Sequence, residues 1–182
     1  MRALIAVFPA PALLFALAAC DNGVPPPGQE PLRPSTPQVS EGEVVLRGQG
    51  LIAGSEAFYF AAGRNEVEAA ILPILGEPVD ITANTQCGTG AMEFTEYEGG
   101  LILNFQRGAL VGWNSRDGSS AASVVGNVQI GTHRDAAKDA QGFAAIEGST
   151  LGDEFALGEA MGGFFEDDAV VMLYAGAQCF FR

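Results

Sequence analysis

The sequence predicts an α+β fold built as two tandem repeats, each a helix packed on three to four antiparallel strands. Three observations carry this expectation. From Gly42 onward, short apolar runs are cut by glycine, the texture of short strands. One segment, NEVEAAILPIL (Asn65 to Leu75), has helical periodicity instead. And the plan of the first half recurs in the second, about 70 residues later.

The elements follow in order. Val44 to Arg47 and Gly50 to Ala53 read as a kinked strand or two short ones. In the helix, Asn65 is placed to cap, Glu66 and Glu68 suit the positive N-terminal dipole, and Val67, Ala70, Ile71 and Ile74 share one face. Pro73 should kink or end its last turn, because it lacks a backbone donor and its ring crowds the preceding turn. Val79 to Asn84, Ala91 to Tyr97, Gly100 to Phe105 and Ala109 to Trp113 read as strands, with Gln106-Arg107-Gly108 as a tight hairpin turn. Alternation of Leu101, Leu103 and Phe105 against Ile102 and Asn104 implies a sheet with one wetter face.

In the second half, Ala62 to Ala70 (AGRNEVEAA) lines up with Thr132 to Ala140 (THRDAAKDA) at an offset of 70. Thr132 and Asp135 make a capping-box-like start there. GGLILNFQRGALVGW (Gly99 to Trp113) lines up with DAVVMLYAGAQCFFR (Asp168 to Arg182) at an offset of 69, giving repeats of about 43–114 and 124–182. This order, the helix followed by Leu75-Gly76-Glu77-Pro78, and the hairpins resemble the tandem αβ repeats of the beta-lactamase inhibitor protein and BamE-like lipoprotein group, over about Glu43 to Arg182. The resemblance implies helices on one face of an antiparallel sheet continuous across the repeats. It departs in the cysteines. The inhibitors hold a disulfide within each repeat, whereas Cys87 aligns with Ala156 and Cys179 with Leu110, so a bond here would link one repeat to the other.

The start of the chain is the best address. Arg2, the apolar run Ala3 to Leu17 and the tetrad Leu17-Ala18-Ala19-Cys20 form a leader interrupted by Pro9 and Pro11, too short for a comfortable membrane span. The tetrad resembles the lipobox of bacterial lipoproteins. That resemblance implies removal of residues 1–19, with lipid on the sulfur of Cys20 and an acyl group on its new amino terminus. Asp21 resembles an inner-membrane retention signal of some Gram-negative bacteria, so inner against outer membrane stays open. Residues 21–41 carry six prolines and almost no aliphatic side chains, which describes an extended tether between anchor and domain. At about 3.1 Å per residue it would reach roughly 60 Å. The remaining domain, 42–182, is large enough to bury about two-thirds of its unfolded surface.

Charge and cysteines narrow the function. Without Arg2, 8 basic residues face 22 acidic ones, a formal charge of −14, and Lys138 is the only lysine. Such a surface repels phosphate backbones and anionic headgroups, which excludes nucleic acid as a partner and leaves the lipid as the membrane contact. Three cysteines are odd for an exported chain, but a lipidated Cys20 leaves the pair Cys87 and Cys179, either disulfide-bonded or two buried thiols. A bond across their 92-residue separation would contribute about 4 kcal/mol in the chain-entropy picture.

Reactive constellations are scarce. His133, the only histidine, falls in the first turn of the second helix and reads as solvated. Ser115, Ser119, Ser120 and Ser123 lack a GxSxG elbow. Asp153-Glu154 and Glu166-Asp167-Asp168 are the acidic clusters, without a calcium-loop pattern, and the second reads as a hairpin tip. Gly48 to Gly54 is not a phosphate-binding GxGxxG. No metal or cofactor is called for. Of the aromatics Tyr97, Phe105, Trp113, Phe164, Phe165, Phe180 and Phe181, most are expected in a core; if the opposite sheet face exposes Tyr97 and Trp113, it would bind protein. The expectation is a membrane-anchored, periplasm-facing lipoprotein with a non-catalytic binding or assembly role toward envelope proteins. The alternatives are an envelope hydrolase using acidic residues and an inhibitor of a secreted enzyme.

Overall fold

Strands, not helices, organise this protein. In the computed structural model 47% of the described residues are in strands and 13% are helical, which overturns the expected α+β class with its two helix-on-strand units. The structure describes residues 42–116 and 122–181, all within one compact unit. The leader, the lipobox and the tether to Glu41 lie outside the described residues.

Among the described residues, twelve strands and two helices run in the order β1 (Val44–Arg47), β2 (Gly50–Ala53), β3 (Glu56–Tyr59), α1 (Arg64–Leu75), β4 (Asp80–Asn84), β5 (Met92–Tyr97), β6 (Leu101–Gln106), β7 (Ala109–Ser115), β8 (Ala122–Val124), α2 (Arg134–Lys138), β9 (Phe143–Ala145), β10 (Asp153–Leu157), β11 (Met161–Glu166) and β12 (Ala169–Gly176). They form a four-stranded sheet, β3-β2-β1-β8, and an eight-stranded one, β4-β5-β6-β7-β12-β11-β10-β9. The small sheet is antiparallel except where β8 lies parallel to β1, with Val44 opposite Ala122. The large one is antiparallel throughout, and its two four-stranded meanders meet where β7 pairs β12, with Trp113 opposite Ala175.

Local chemistry explains most elements. Gln106-Arg107-Gly108-Ala109 makes the expected two-residue turn, with positive φ at Arg107 and Gly108 as the twist of a hairpin requires. Helix α1 buries Val67 and Ile71 and stops two residues after Pro73. Gly63, not Asn65, occupies its N-cap, without a side-chain bond. In α2 it is His133 that caps, its Nδ1 accepting from the Asp135 amide at 3.4 Å, while Thr132 accepts from the amide of Gln129. With five residues, α2 matches only the start of the twelve-residue α1.

The two meanders carry matching hydrogen bonds. The amides of Arg64 and Arg134 donate to Gly108 and Asp168, and those of Leu110 and Val170 to Ala62 and Thr132, all at 2.8–2.9 Å. Each arginine then lies over a ring, Arg64 over Phe105 at 5.0 Å and Arg134 over Phe165 at 4.2 Å. Helix starts therefore correspond at an offset of 70 but hairpins at 60, so β6-β7 matches β11-β12. The alignment of β6-β7 with β12 and the chain end at an offset of 69 is wrong.

The core fills the space between the sheets. Val44, Leu46 and Leu51 of the small sheet, Val67 and Ile71 of α1, and Leu103, Phe105, Trp113, Phe155 and Leu173 of the large one belong to one buried cluster. Trp113 joins the layers chemically as well: its indole Nε1 donates to the carbonyls of Arg47 (2.8 Å) and Gly50 (3.1 Å) at the β1-β2 turn.

Candidate functional site

Side chains alternate along a strand, so residues flanking the core positions of the large sheet point to its other face. On β6 and β7 these are Ile102, Asn104, Gly112 and Asn114; on the second meander they are Tyr174, Phe164 and Glu154. The sequence marks this face as the wetter one, yet Asn104 is fully buried and Asn114 nearly so. The reason is the chain end. After β12 the segment Ala177–Phe181 turns back over the outer face as a strap instead of continuing as a strand.

The strap is seated by amides. The Ala177 amide donates to the Val111 carbonyl at 2.8 Å. Asn104 Nδ2 donates to the Ala177 carbonyl at 2.8 Å and to Gln178 Oε1 at 3.1 Å, and Asn114 Nδ2 stands 3.5 Å from the same oxygen. Gln178 Nε2 donates to the carbonyls of Ala175 (2.8 Å) and Trp113 (3.0 Å). The crossing needs glycine beneath it, because a Cβ on Gly112 would stand 2.4 Å from the Ala177 oxygen. The seat is incompletely satisfied: the Oδ1 atoms of Asn104 and Asn114 are buried without a hydrogen-bond partner among the described residues. Each such acceptor costs about 1–3 kcal/mol.

Beyond Gln178 the strap is bonded covalently. Cys179 is joined to Cys87, on the loop between β4 and β5, with their Cα atoms 4.9 Å apart. Asn84 Nδ2 donates to Cys179 Sγ at 3.5 Å. Phe180 then meets Phe164 and Tyr174 edge-on, at 5.6 and 5.2 Å between centroids. Between strap and first meander runs a groove of about 290 Å³ whose lining includes Thr82, Asn84, Phe94, Glu96 and Asn114. Amide donors and acceptors beside aromatic rings suit the main chain and side chains of an extended peptide, and here they hold a segment of the same chain.

A carboxylate lies on the same face. Glu154 is 1% exposed and accepts from Tyr174 Oη and Ser149 Oγ, each at 2.6 Å. Its neighbour Asp153 points to the other side of β10 and pairs with Arg134, whose second partner is Asp168. Hydrogen bonding to Asp153 and Asp168 raises the Arg134 pKa, and the same bond lowers that of Asp153. Arg64 is placed similarly: burial works against its charge, but Glu68 and Glu93 outweigh it and raise its pKa. The two arginines are thereby committed to pinning helix starts onto the sheet.

The residues singled out from sequence fare differently. Cys87 and Cys179 are bonded, whereas Cys20 lies outside the described residues. Tyr97 and Trp113 form no interaction face: they are 1% and 0% exposed, facing the core because they lie in register with Leu101 and Leu103. Burial, with the Glu68 carboxylate nearby, pushes the Tyr97 phenol up to about 12. His133 is exposed and caps α2, and Ser123 donates to Glu43. Ser119 and Ser120 lie outside the described residues. Asp167 and Asp168 form the expected hairpin tip, with positive φ at both. Nothing in the sequence marks Asn104, Asn114 and Gln178 as a set. The only signal was Asn104 at an outward position in an otherwise apolar strand.

No known protein family, curated protein or solved structure matches this chain.

Proposed function

We propose that this protein is a lipid-anchored lipoprotein of the cell envelope, facing the periplasm, whose β domain acts by binding envelope protein and not by catalysis. One observation carries the anchoring. Because Cys87 and Cys179 bond to each other, Cys20 is the only cysteine of the chain left over, and it stands at the lipobox position. A disulfide also fits an oxidising compartment. Among the described residues no helix is long and apolar enough to cross a membrane, and the lipid supplies the attachment. Binding is supported by the peptide-like chemistry of the outer face, and by His133, whose Nδ1 is engaged in capping.

The test pairs metabolic labelling with capture. Expressed in a Gram-negative host with a labelled fatty acid, the wild-type chain should incorporate label and Cys20→Ser should not. An unlabelled wild-type chain would sink the anchor. Pull-down from solubilised envelope should then enrich a protein with the wild-type chain over Cys20→Ser, and equal recovery of every envelope protein by both would remove the binding role.

A further inference from the structure

We infer that the segment Ala177–Phe181, which follows β12, is a redox-released strap: reduction of the Cys87–Cys179 bond by a dithiol lifts it off the outer face of the large sheet, while the fold beneath stays intact.

The bond's place in the fold carries this. Cys87 sits on a loop beyond the last residue of β4, and Cys179 on the strap, so the disulfide joins two peripheral segments and crosses no part of the core cluster. Without it, the strap keeps the Ala177 amide bond to Val111, the bonds of Asn104 Nδ2 to the Ala177 carbonyl and Gln178, the bonds donated by Gln178 Nε2, and the edge-on packing of Phe180. Against these stand Asn104 Oδ1 and Asn114 Oδ1, which the closed strap leaves buried without partners among the described residues. Water satisfies both once the strap lifts, so opening recovers part of what it loses. A five-residue segment outside the strand ladder, held on these terms, belongs to the low-stability end of a structure once its covalent tie is cut.

The exchange is chemically balanced by the dithiol. Cys87 is 6% exposed and Cys179 is partly exposed, so the reductant's first thiolate attacks Cys179 Sγ. The S–S bond breaks, Cys87 leaves as a thiolate and takes up a proton, and its Sγ lies 3.7 Å from the Asn84 carbonyl that accepts the new S–H. The reductant's second thiolate then attacks its own sulfur in the mixed disulfide. Cys179 leaves, with Asn84 Nδ2 placed to donate to the departing sulfur, and is protonated in turn. The reductant ends as a disulfide, having given up two electrons and two protons. Lifting Gln178 and Phe180 uncovers the Asn104 and Asn114 amides and the rings of Phe164 and Tyr174, a face with the chemistry to take an extended peptide. This opening does not depend on where the chain is anchored.

Amide hydrogen exchange of the full-length protein, measured by mass spectrometry before and after dithiothreitol, tests it. Exchange of the Ala177 amide, resolved by overlapping peptides, should rise at least ten-fold on reduction, while Leu101–Gln106 and Ala109–Ser115 keep their protection. Cys179→Ser should show the same local rise without reductant. An unchanged strap would overturn the inference, since side-chain contacts would then hold it alone. A rise of similar size across β6 and β7 would overturn it too, since the bond would then support the whole sheet.

Discussion

Replacing Trp113 by Phe tests whether one side chain couples the two sheets. Trp113 is fully buried, and its Nε1 donates to the carbonyls of Arg47 and Gly50 at the β1-β2 turn. Phenylalanine keeps a ring in the site but removes the N–H and part of the volume. The lost ring atoms leave a cavity worth about 1–2 kcal/mol, within the range for partial truncation of a large core side chain. The turn carbonyls lose their donor at about 1–3 kcal/mol. Together, Trp113→Phe should cost about 2–5 kcal/mol, a large part of the 5–15 kcal/mol typical of a domain. Urea denaturation followed by far-ultraviolet circular dichroism measures the loss. Hydrogen exchange should locate it in β1 and β2 ahead of β11 and β12. A loss below about 1 kcal/mol, or one spread evenly over both sheets, would refute the idea that this indole docks the small sheet on the large one.

Two further outcomes follow from burial and close packing. Tyr97 has its phenol pushed up to about 12 from 10.0, so the folded state resists its ionisation. The associated stability is complete below pH 10 and is lost as pH rises from 10 to 12, so wild type should weaken through that window by about 3 kcal/mol more than Tyr97→Phe, measured by denaturation at pH 9 and 12; parallel pH profiles would contradict this. Gly163→Ala would place a Cβ 2.5 Å from the Phe155 ring and 2.6 Å from the Met172 carbonyl. Displacing Phe155 from its contact with Phe165 should cost about 1–3 kcal/mol by the same denaturation assay, and a neutral effect would mean the rings have room to move.

The candidate site was legible only in fragments. Asn104 could be assigned to the outer face because alternation places it opposite Leu103 and Phe105, and Cys87 could be matched to Cys179 because a lipobox cysteine leaves an even pair. Gln178 could not, since AGAQCFFR reads as a strand end with apolar residues on both faces. Its role exists only because the chain reverses after Gly176 and lies across Gly112. In sequence Asp153 and Glu154 form one acidic cluster, but the strand pleat separates them, Asp153 to Arg134 and Glu154 to Tyr174 and Ser149.

By itself the sequence determined what depends on neighbours in the chain: the positions of β4 to β7, the Arg107-Gly108 turn, the first helix with its stop near Pro73, and the pair of cysteines left for a disulfide. These follow from side-chain period, backbone restriction and counting. Tertiary structure alone decided which strands join at the centre of the large sheet, that β8 runs parallel to β1, that Tyr97 and Trp113 face the core, and that residues 177–181 cover two asparagines. Each of these depends on contacts between segments far apart in the chain. A strand's period gives its two faces but neither its partner nor the layer that will cover them.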